Sequence, residues 1–309
     1  MGQQPSHSPA TNGSAASCSL CLTGAGTGAV ADLARSCRPT GFARTSPRVQ
    51  MTTPAVPFRG SYRDPFADDD DLELADLHPA LLLPREQLAG RIQHTLIGQA
   101  ITERQVRHHV QETLEHGFDA AVVPPCWVWA ARDELRGTVA RIGSIVDYPY
   151  GSGITAGRVA QVKALVDAGV DELDATVNVG FLLSSRIEEF AADITAVVQA
   201  ADPIGVKLML ELPLLNPRQR EQAVGAATGA GAAFVSIASS ASVGIADPAT
   251  IAFLRASVPA SIGVKASGGV QTVEQVRSLL AAGADLIGTS AGVSIVTGVG
   301  ALRGSLFSY

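Results

Sequence analysis

The sequence predicts an α/β fold, a (β/α)8 TIM barrel, on three observations. From about residue 85 onward, eight short apolar runs alternate with eight amphipathic stretches of helical length. Gly117, Gly169, Gly231 and Gly283 each fall where a helix ends just ahead of the next apolar run, the place for a left-handed cap. The chain has 309 residues, 46% hydrophobic and 17% charged, which is ample for one large core.

The elements follow in order. A strand at 93–97 leads into a helix over 103–116, stopped by Gly117. The run AAVV at 120–123 is a buried strand, followed by a helix at 128–137. A strand at 142–147 and a helix at 156–168 end on Gly169. The fourth pair is a strand at 172–177 and a helix at 182–201. The fifth strand, 206–212, reads VKLMLEL and precedes a helix at 218–230 that Gly231 stops. Strands at 233–238, 262–266 and 285–288 alternate with helices at 248–257, 273–282 and from 293 onward. In such a barrel the C-terminal strand ends and the loops after them form the site.

The chain divides into three stretches. Residues 1–60, rich in Ser, Thr, Gly, Ala and Pro, read as a disordered low-complexity extension. Residues 61–89 read as a linker with an N-terminal helical segment, its four aspartates at 68–71 a solvated run, and 90–309 as the barrel domain. The acid-poor first fifty residues are faintly transit-peptide-like, but Met51, followed by TTPAVPF, is the better start, which makes residues 1–50 dispensable. A net charge of −6 without a basic stripe argues against nucleic acid or an anionic membrane as partner. No apolar run is long enough to span a bilayer, and a cytoplasmic protein, possible as a homodimer, is expected. Cys18 and Cys21 have metal-ligand spacing, but no second pair completes a site; they and Cys37 are incidental thiols, and Cys126 is packing. No metal or other cofactor is expected, and His108 and His109 read as solvated helix residues.

The chemistry concentrates late in the chain. Strand seven and its loop read GVKASGGV (263–270), and strand eight and its loop read IGTSAG (287–292). Paired Gly/Ser loops there let backbone N–H groups approach an anion, which makes Ser267, Gly268, Gly269, Gly288, Thr289 and Ser290 candidate phosphate contacts. Only three of the 23 basic residues are lysines: Lys163, Lys207 and Lys265. Lys265 lies in an apolar strand, where an amine is costly unless paired or neutral. Asp174 and Glu211 are its candidate partners. Lys207, Met209 and Glu211 share one face of strand five by alternation, which makes Lys207 and Glu211 supporting groups.

These stretches resemble the deoxyribose-phosphate aldolase family over roughly residues 90–297. The likeness rests on HTLI (94–97), GFDAAVVPPCWV (117–128), DYPYGSG (147–153), DELDATVNVGFLLS (171–184), VKLMLELPLL (206–215), GAAFVSIASSASVG (231–244), GVKASGGVQT (263–272) and GADLIGTSAGVSIV (283–296). The resemblance implies a barrel enzyme that acts on a phosphorylated aldehyde or sugar. It assigns the strand-seven lysine to Lys265 and the proton-moving aspartate to Asp174, and it adds Ser239 and Ser240 to the phosphate loops. It assigns the imine-forming lysine of strand six to position 236, where this chain has Ser236. Gln93, Pro124, Leu212 and Ser240 are further departures, replacing an acid, an asparagine, a threonine and a glycine. Some family members use a C-terminal tyrosine, and this sequence ends at Tyr309.

Serine cannot form an imine with a carbonyl. Three readings follow: an imine relocated to Lys265; a carbon–carbon lyase, cyclase or isomerase in which Asp174 and Lys265 act without an imine and Ser236 hydrogen-bonds; or a silent barrel that binds a phosphorylated metabolite. The acid–amine pair argues against the last. The expectation is an aldolase-like lyase with an altered mechanism and little ordinary deoxyribose-phosphate aldolase activity.

Overall fold

The structure, a computed structural model, describes residues 78–240 and 242–299. The N-terminal extension, the aspartates at 68–71, Cys18, Cys21, Cys37 and Tyr309 lie outside the described residues.

Eight parallel strands close into a barrel in sequence order. They are β1 (Ile92–Thr95), β2 (Ala120–Val123), β3 (Arg141–Val146), β4 (Glu172–Thr176), β5 (Gly205–Met209), β6 (Phe234–Ser236), β7 (Gly263–Ser267) and β8 (Leu286–Thr289). Around them run α1 (Glu103–His116), α2 (Val128–Glu134), α3 (Thr155–Asp167), α4 (Val179–Leu183), α5 (Ile187–Ala200), α6 (Pro217–Gly229), α7 (Pro248–Ser257), α8 (Val273–Ala281) and α9 (Gly292–Thr297). Three short 3-10 turns between Pro79 and Arg91 precede β1. Among the described residues no helix is long and apolar enough to cross a membrane.

Local chemistry accounts for the helix starts. Thr102 with Gln105, Asn216 with Gln219 and Thr272 with Gln275 form reciprocal capping boxes at α1, α6 and α8. Each satisfies N–H groups that the first turn leaves free. The four predicted stop glycines all have positive φ, from 68° at Gly117 to 106° at Gly283. Apolar side chains of the strands and of the inner helix faces make one core, with Leu173, Val206, Leu208, Val235 and Val264 at most 1% exposed.

Three expectations needed correction. The helix read at 182–201 is two helices, because Ser185 takes φ 59° and the chain turns between α4 and α5. Strand five ends at Met209 rather than 212, since Glu211 has left-handed backbone (φ 53°) and Leu212–Leu214 form a 3-10 turn. Strand six is only Phe234–Ser236, because from Ile237 the chain turns into the loop that precedes α7.

Candidate active site

The register of β4 to β8 sets the polar interior. Asp174 pairs with Lys207, Met209 with Ser236, and Ser236 with Lys265. Lys265 Nζ donates to Asp174 Oδ2 at 2.6 Å. Lys207 Nζ lies 2.8 Å from Glu172 Oε2 and 3.8 Å from Asp174 Oδ1. Farther along, Gln93 donates to Glu172 Oε1 at 2.6 Å and to Asp119 Oδ2 at 2.9 Å. Arg141 closes the network on Asp119 and, at 3.5 Å, on Glu172. The acids Asp119, Glu172 and Asp174 are thus matched by Arg141, Lys207 and Lys265. An acid in place of Gln93 would leave this largely buried network one negative charge in excess, which low-dielectric surroundings penalise.

Burial pushes the Asp174 carboxyl up, but Lys265 and then Lys207 outweigh it and hold the group below its ordinary value. Burial likewise lowers the Lys207 ammonium, an effect that Asp174 and Glu172 only partly offset. The three lysines take different places. Lys163 is exposed on α3, Lys207 is buried beneath Asp174, and Lys265 lines the cavity at the barrel mouth. Among the described residues, Lys265 is the only amine side chain lining that cavity.

Ser236 is committed elsewhere. Its Oγ lies 2.8 Å from Ser267 Oγ, and Ser267 in turn donates to the carbonyl of Ala238 at 3.1 Å. The single hydroxyl proton of Ser267 is therefore used, so Ser236 is the donor in the serine pair. No base accepts the Ser236 proton, and the hydroxyl is a hydrogen-bonding group rather than an activated nucleophile.

The cavity is about 690 Å³, its open mouth included, and Asp174, Ser236 and Lys265 line it together with the serines and glycines of the last three loops. Gly268 and Gly269 have φ of 102° and 68°, and a Cβ at Gly268 would sit 2.6 Å from the carbonyl oxygen of Gly244. Gly288 makes room for the amine: a Cβ there would meet Lys265 Cε at 2.9 Å. The loop residues play unlike parts. Thr289 donates to Val270 O at 2.5 Å and accepts from the Ala291 amide at 2.9 Å, so its hydroxyl braces the turn. Ser240 and Ser242 share a hydrogen bond of 2.7 Å. Ser290 is exposed, and the helix after it, α9, has only six residues.

Glu211 is not on the cavity wall. Its left-handed backbone takes it off the strand alternation, so it does not share the face of Lys207 and Met209 as expected. It is buried, and Oε1 accepts the Ser239 amide at 2.6 Å. Burial pushes the Glu211 carboxyl up to about 7, against the hydrogen bonds from Ser239.

Sequence reasoning missed the apolar wall opposite the loops, made by Ile97, Val122, Ile145 and Met209. The alternation of side chains along β2, β3 and β5 was the available signal. It also misplaced two side chains. His109 is buried at 4% exposure rather than solvated, because its edge of α1 faces β1. Cys126 is exposed rather than packed, because the 3-10 turn Pro125–Trp127 carries it outward.

Residues 91–303 match the model of the DeoC/LacD family aldolases. A deoxyribose-phosphate aldolase of Cutibacterium acnes is 37% identical over 209 residues, 68% of this chain and 96% of that protein. One from Brevibacillus brevis is 37% identical over 207 residues, 67% of this chain and 94% of that protein. The crystal structure of a putative deoxyribose-phosphate aldolase from Coccidioides immitis superposes with a TM-score of 0.67 at 29% identity, covering 70% of this chain and 87% of the other. A tetrameric deoxyribose phosphate aldolase from Aeropyrum pernix gives 0.65 at 29% identity, covering 71% and 93%.

Proposed function

The chain belongs to the DeoC/LacD aldolase family, and from that premise we propose an aldolase-like lyase for a small phosphorylated aldehyde or sugar whose chemistry runs through Lys265 and Asp174 without an imine on strand six. The observation that carries the reading is the position of the one cavity amine: Lys265 Nζ sits 2.6 Å from Asp174 Oδ2, while the strand-six position holds a hydroxyl already donated to Ser267.

In the cleavage direction, Asp174 accepts the proton of the substrate hydroxyl beside the breaking bond. The carbon–carbon bond opens, and its electron pair passes toward the carbonyl to give an enolate. The Lys265 ammonium stabilises the negative oxygen, and the proton returns from Asp174 to the new carbanionic carbon. Ser236 fixes Ser267, the last residue of β7, where the strand-seven loop begins. The glycine and serine loops after β6, β7 and β8 hold the phosphate. The apolar wall of Ile97, Val122, Ile145 and Met209 takes the carbon chain. We place the catalytic domain at residues 90–309, with residues 1–50 dispensable.

Borohydride reduction in the presence of acetaldehyde and of glyceraldehyde 3-phosphate, followed by peptide mass mapping, tests the mechanism. The expected result is no covalent adduct on Lys207 or Lys265. A reduced adduct on Lys265 would establish an imine relocated by one strand and overturn the non-imine step.

A further inference from the structure

Glu211 is a buried acid that the catalytic steps do not use. It follows β5, and its backbone is left-handed at φ 53°, a region that residues with a Cβ rarely adopt. Such a conformation persists only where its surroundings hold it, and it gathers at functional sites. Here it brings the side chain to the stretch of chain that leaves β6. The hydrogen bonds there show what the turn accomplishes. Strand β6 stops at Ser236, yet pairing between the two strand ends continues. The Leu210 amide donates to Ser236 O at 3.0 Å, and the Leu212 amide donates to Ile237 O at 2.9 Å. The Glu211 carboxyl then takes over from the backbone, with Oε1 accepting the Ser239 amide at 2.6 Å.

From the β7 side, Ser267 donates to Ala238 O at 3.1 Å. Ala238 and Ser239 are thus fixed from two neighbouring strands, by Ser267 and by Glu211. Ser239 and Ser240 line the cavity together with Gly268 and Gly269. The Ser239 amide is spent on Glu211, so the carboxyl stands directly behind a residue of the cavity wall. Other charges lie on the elements around it. Lys207 is on β5, Asp174 on β4 and Lys265 on β7. Arg220 of α6 donates to the carbonyls of Leu212 and Leu215, each at 3.0 Å, and Asp247 caps α7. Residues 237–246 carry no charge. None of these groups sets the protonation of Glu211, which burial and Ser239 decide between them.

We propose that Glu211 is a positioning residue of the anion site: its carboxyl fixes the wall at Ser239 and Ser240, and as a carboxylate it opposes a phosphoryl group bound there. The inference rests on the reading of the loops after β6, β7 and β8 as the phosphate site. A like charge close behind that wall, in buried surroundings that screen it little, weakens anion binding. Burial favours the neutral acid and raises the carboxyl to about 7. The neutral acid keeps one oxygen as acceptor for the Ser239 amide and adds no repulsion. As pH rises through that value the carboxylate forms and anion affinity falls. Asp174, held below its ordinary value, stays ionised throughout and contributes no change over the same range.

The test titrates the full chain calorimetrically with sulfate, which stays a dianion across the range, at about pH 5.5 and about pH 8.5 and fixed ionic strength. Native protein, Glu211→Gln and Glu211→Ala are compared. Native affinity should fall about fivefold or more from the lower to the higher pH. Glu211→Gln, which keeps the acceptor and cannot ionise, should change by less than about twofold and bind tighter than native protein at the higher pH. Glu211→Ala loses the acceptor and should bind about tenfold more weakly than Glu211→Gln at both. Native protein and Glu211→Gln changing alike with pH overturns the proposal, as does Glu211→Ala binding as tightly as Glu211→Gln. If Glu211→Ala does not fold, the comparison of native protein with Glu211→Gln decides alone. Absence of sulfate binding by native protein at both pH values overturns the anion site itself and this inference with it. Binding that is present but indifferent to pH overturns the role of Glu211 and leaves the anion site standing.

Discussion

Ser236 and Lys265 are register partners on neighbouring strands and line the same cavity, yet their functional groups take different partners. The serine hydroxyl donates to Ser267 on the strand-seven side, and the lysine ammonium reaches Asp174 on β4 at 2.6 Å. The backbone position that carries the remaining cavity amine is therefore displaced by about one inter-strand spacing, ~5 Å, from position 236. Catalysis tolerates only ~1 Å of misplacement before the rate falls about a hundredfold.

The Asp174–Lys265 pair supports the fold as well as the proposed chemistry. Lys265→Ala leaves the Asp174 carboxylate buried beside Lys207 alone, and breaking a buried pair costs about 3–5 kcal/mol. Combining Asp174→Asn with Lys265→Met removes both charges, so the double variant should be more stable than Lys265→Ala. Urea unfolding of the variants measures the order, and a double variant less stable than Lys265→Ala would contradict the pairing.

Glu211 gives a pH dependence of defined sign. Its folded value is raised from 4.5 to about 7 by burial. Below pH ~4.5 the group is protonated in both folded and unfolded chains and contributes nothing. As pH rises from there through 7, the unfolded chain ionises first and the folded chain is penalised, by about 3 kcal/mol at most. Glu211→Gln keeps the acceptor for the Ser239 amide and cannot ionise, so its stability should stay flatter between pH 5 and 8. Asp174 has the opposite sign, since its folded value is depressed: its contribution is lost as pH falls below ~4. Thermal melts of native protein and Glu211→Gln across that range check the difference, and parallel curves would refute it.

The anion loops need a substitution that leaves their turns intact. Aspartate at Gly268 would test geometry rather than charge, because φ is 102° and the Gly244 carbonyl blocks a Cβ. Ser290→Asp at the exposed rim introduces the same charge with ordinary backbone. We expect sulfate affinity, followed by calorimetry at fixed ionic strength, to fall at least tenfold in Ser290→Asp with the melting midpoint unchanged. Equal sulfate affinity in the two proteins would mean that the loops are turns only.

Gly288 sets the place of the amine. A methyl at 288 would come within 2.9 Å of Lys265 Cε and 3.1 Å of Ser267 Cβ. Gly288→Ala should cost about 1–3 kcal/mol through overpacking and should shift Lys265 away from Asp174. Its activity loss should exceed that of a surface alanine of equal stability cost. A fully active, fully stable Gly288→Ala would show that the close approach is not needed.

Much of this was legible in the residues. Apolar runs such as AAVV and the stop glycines 117, 169, 231 and 283 gave strands and helix ends correctly, because burial and positive φ leave few residue choices. Lys265 and Asp174 stood out as charges in apolar strands, and the structure brings them into contact. Glu211 did not follow its strand alternation, because a left-handed turn at that residue breaks the two-residue period, which spacing alone does not reveal. The contact of buried His94 with Glu112 was invisible for another reason. His94 and Glu112 are 18 positions apart on a strand and a helix, so only the docking of α1 on β1 brings them together.

Turnover of deoxyribose 5-phosphate, measured side by side for native protein, Ser236→Lys and Lys265→Ala, tests the assignment to Lys265 and Asp174 most directly. The native chain should be slow or inert on this substrate. Ser236→Lys should gain partial activity and acquire a borohydride-trappable imine at position 236, while Lys265→Ala gains none. Family-typical turnover by the native protein, with a trapped adduct on Lys207, would place the chemistry on strand five and contradict the assignment to Lys265 and Asp174.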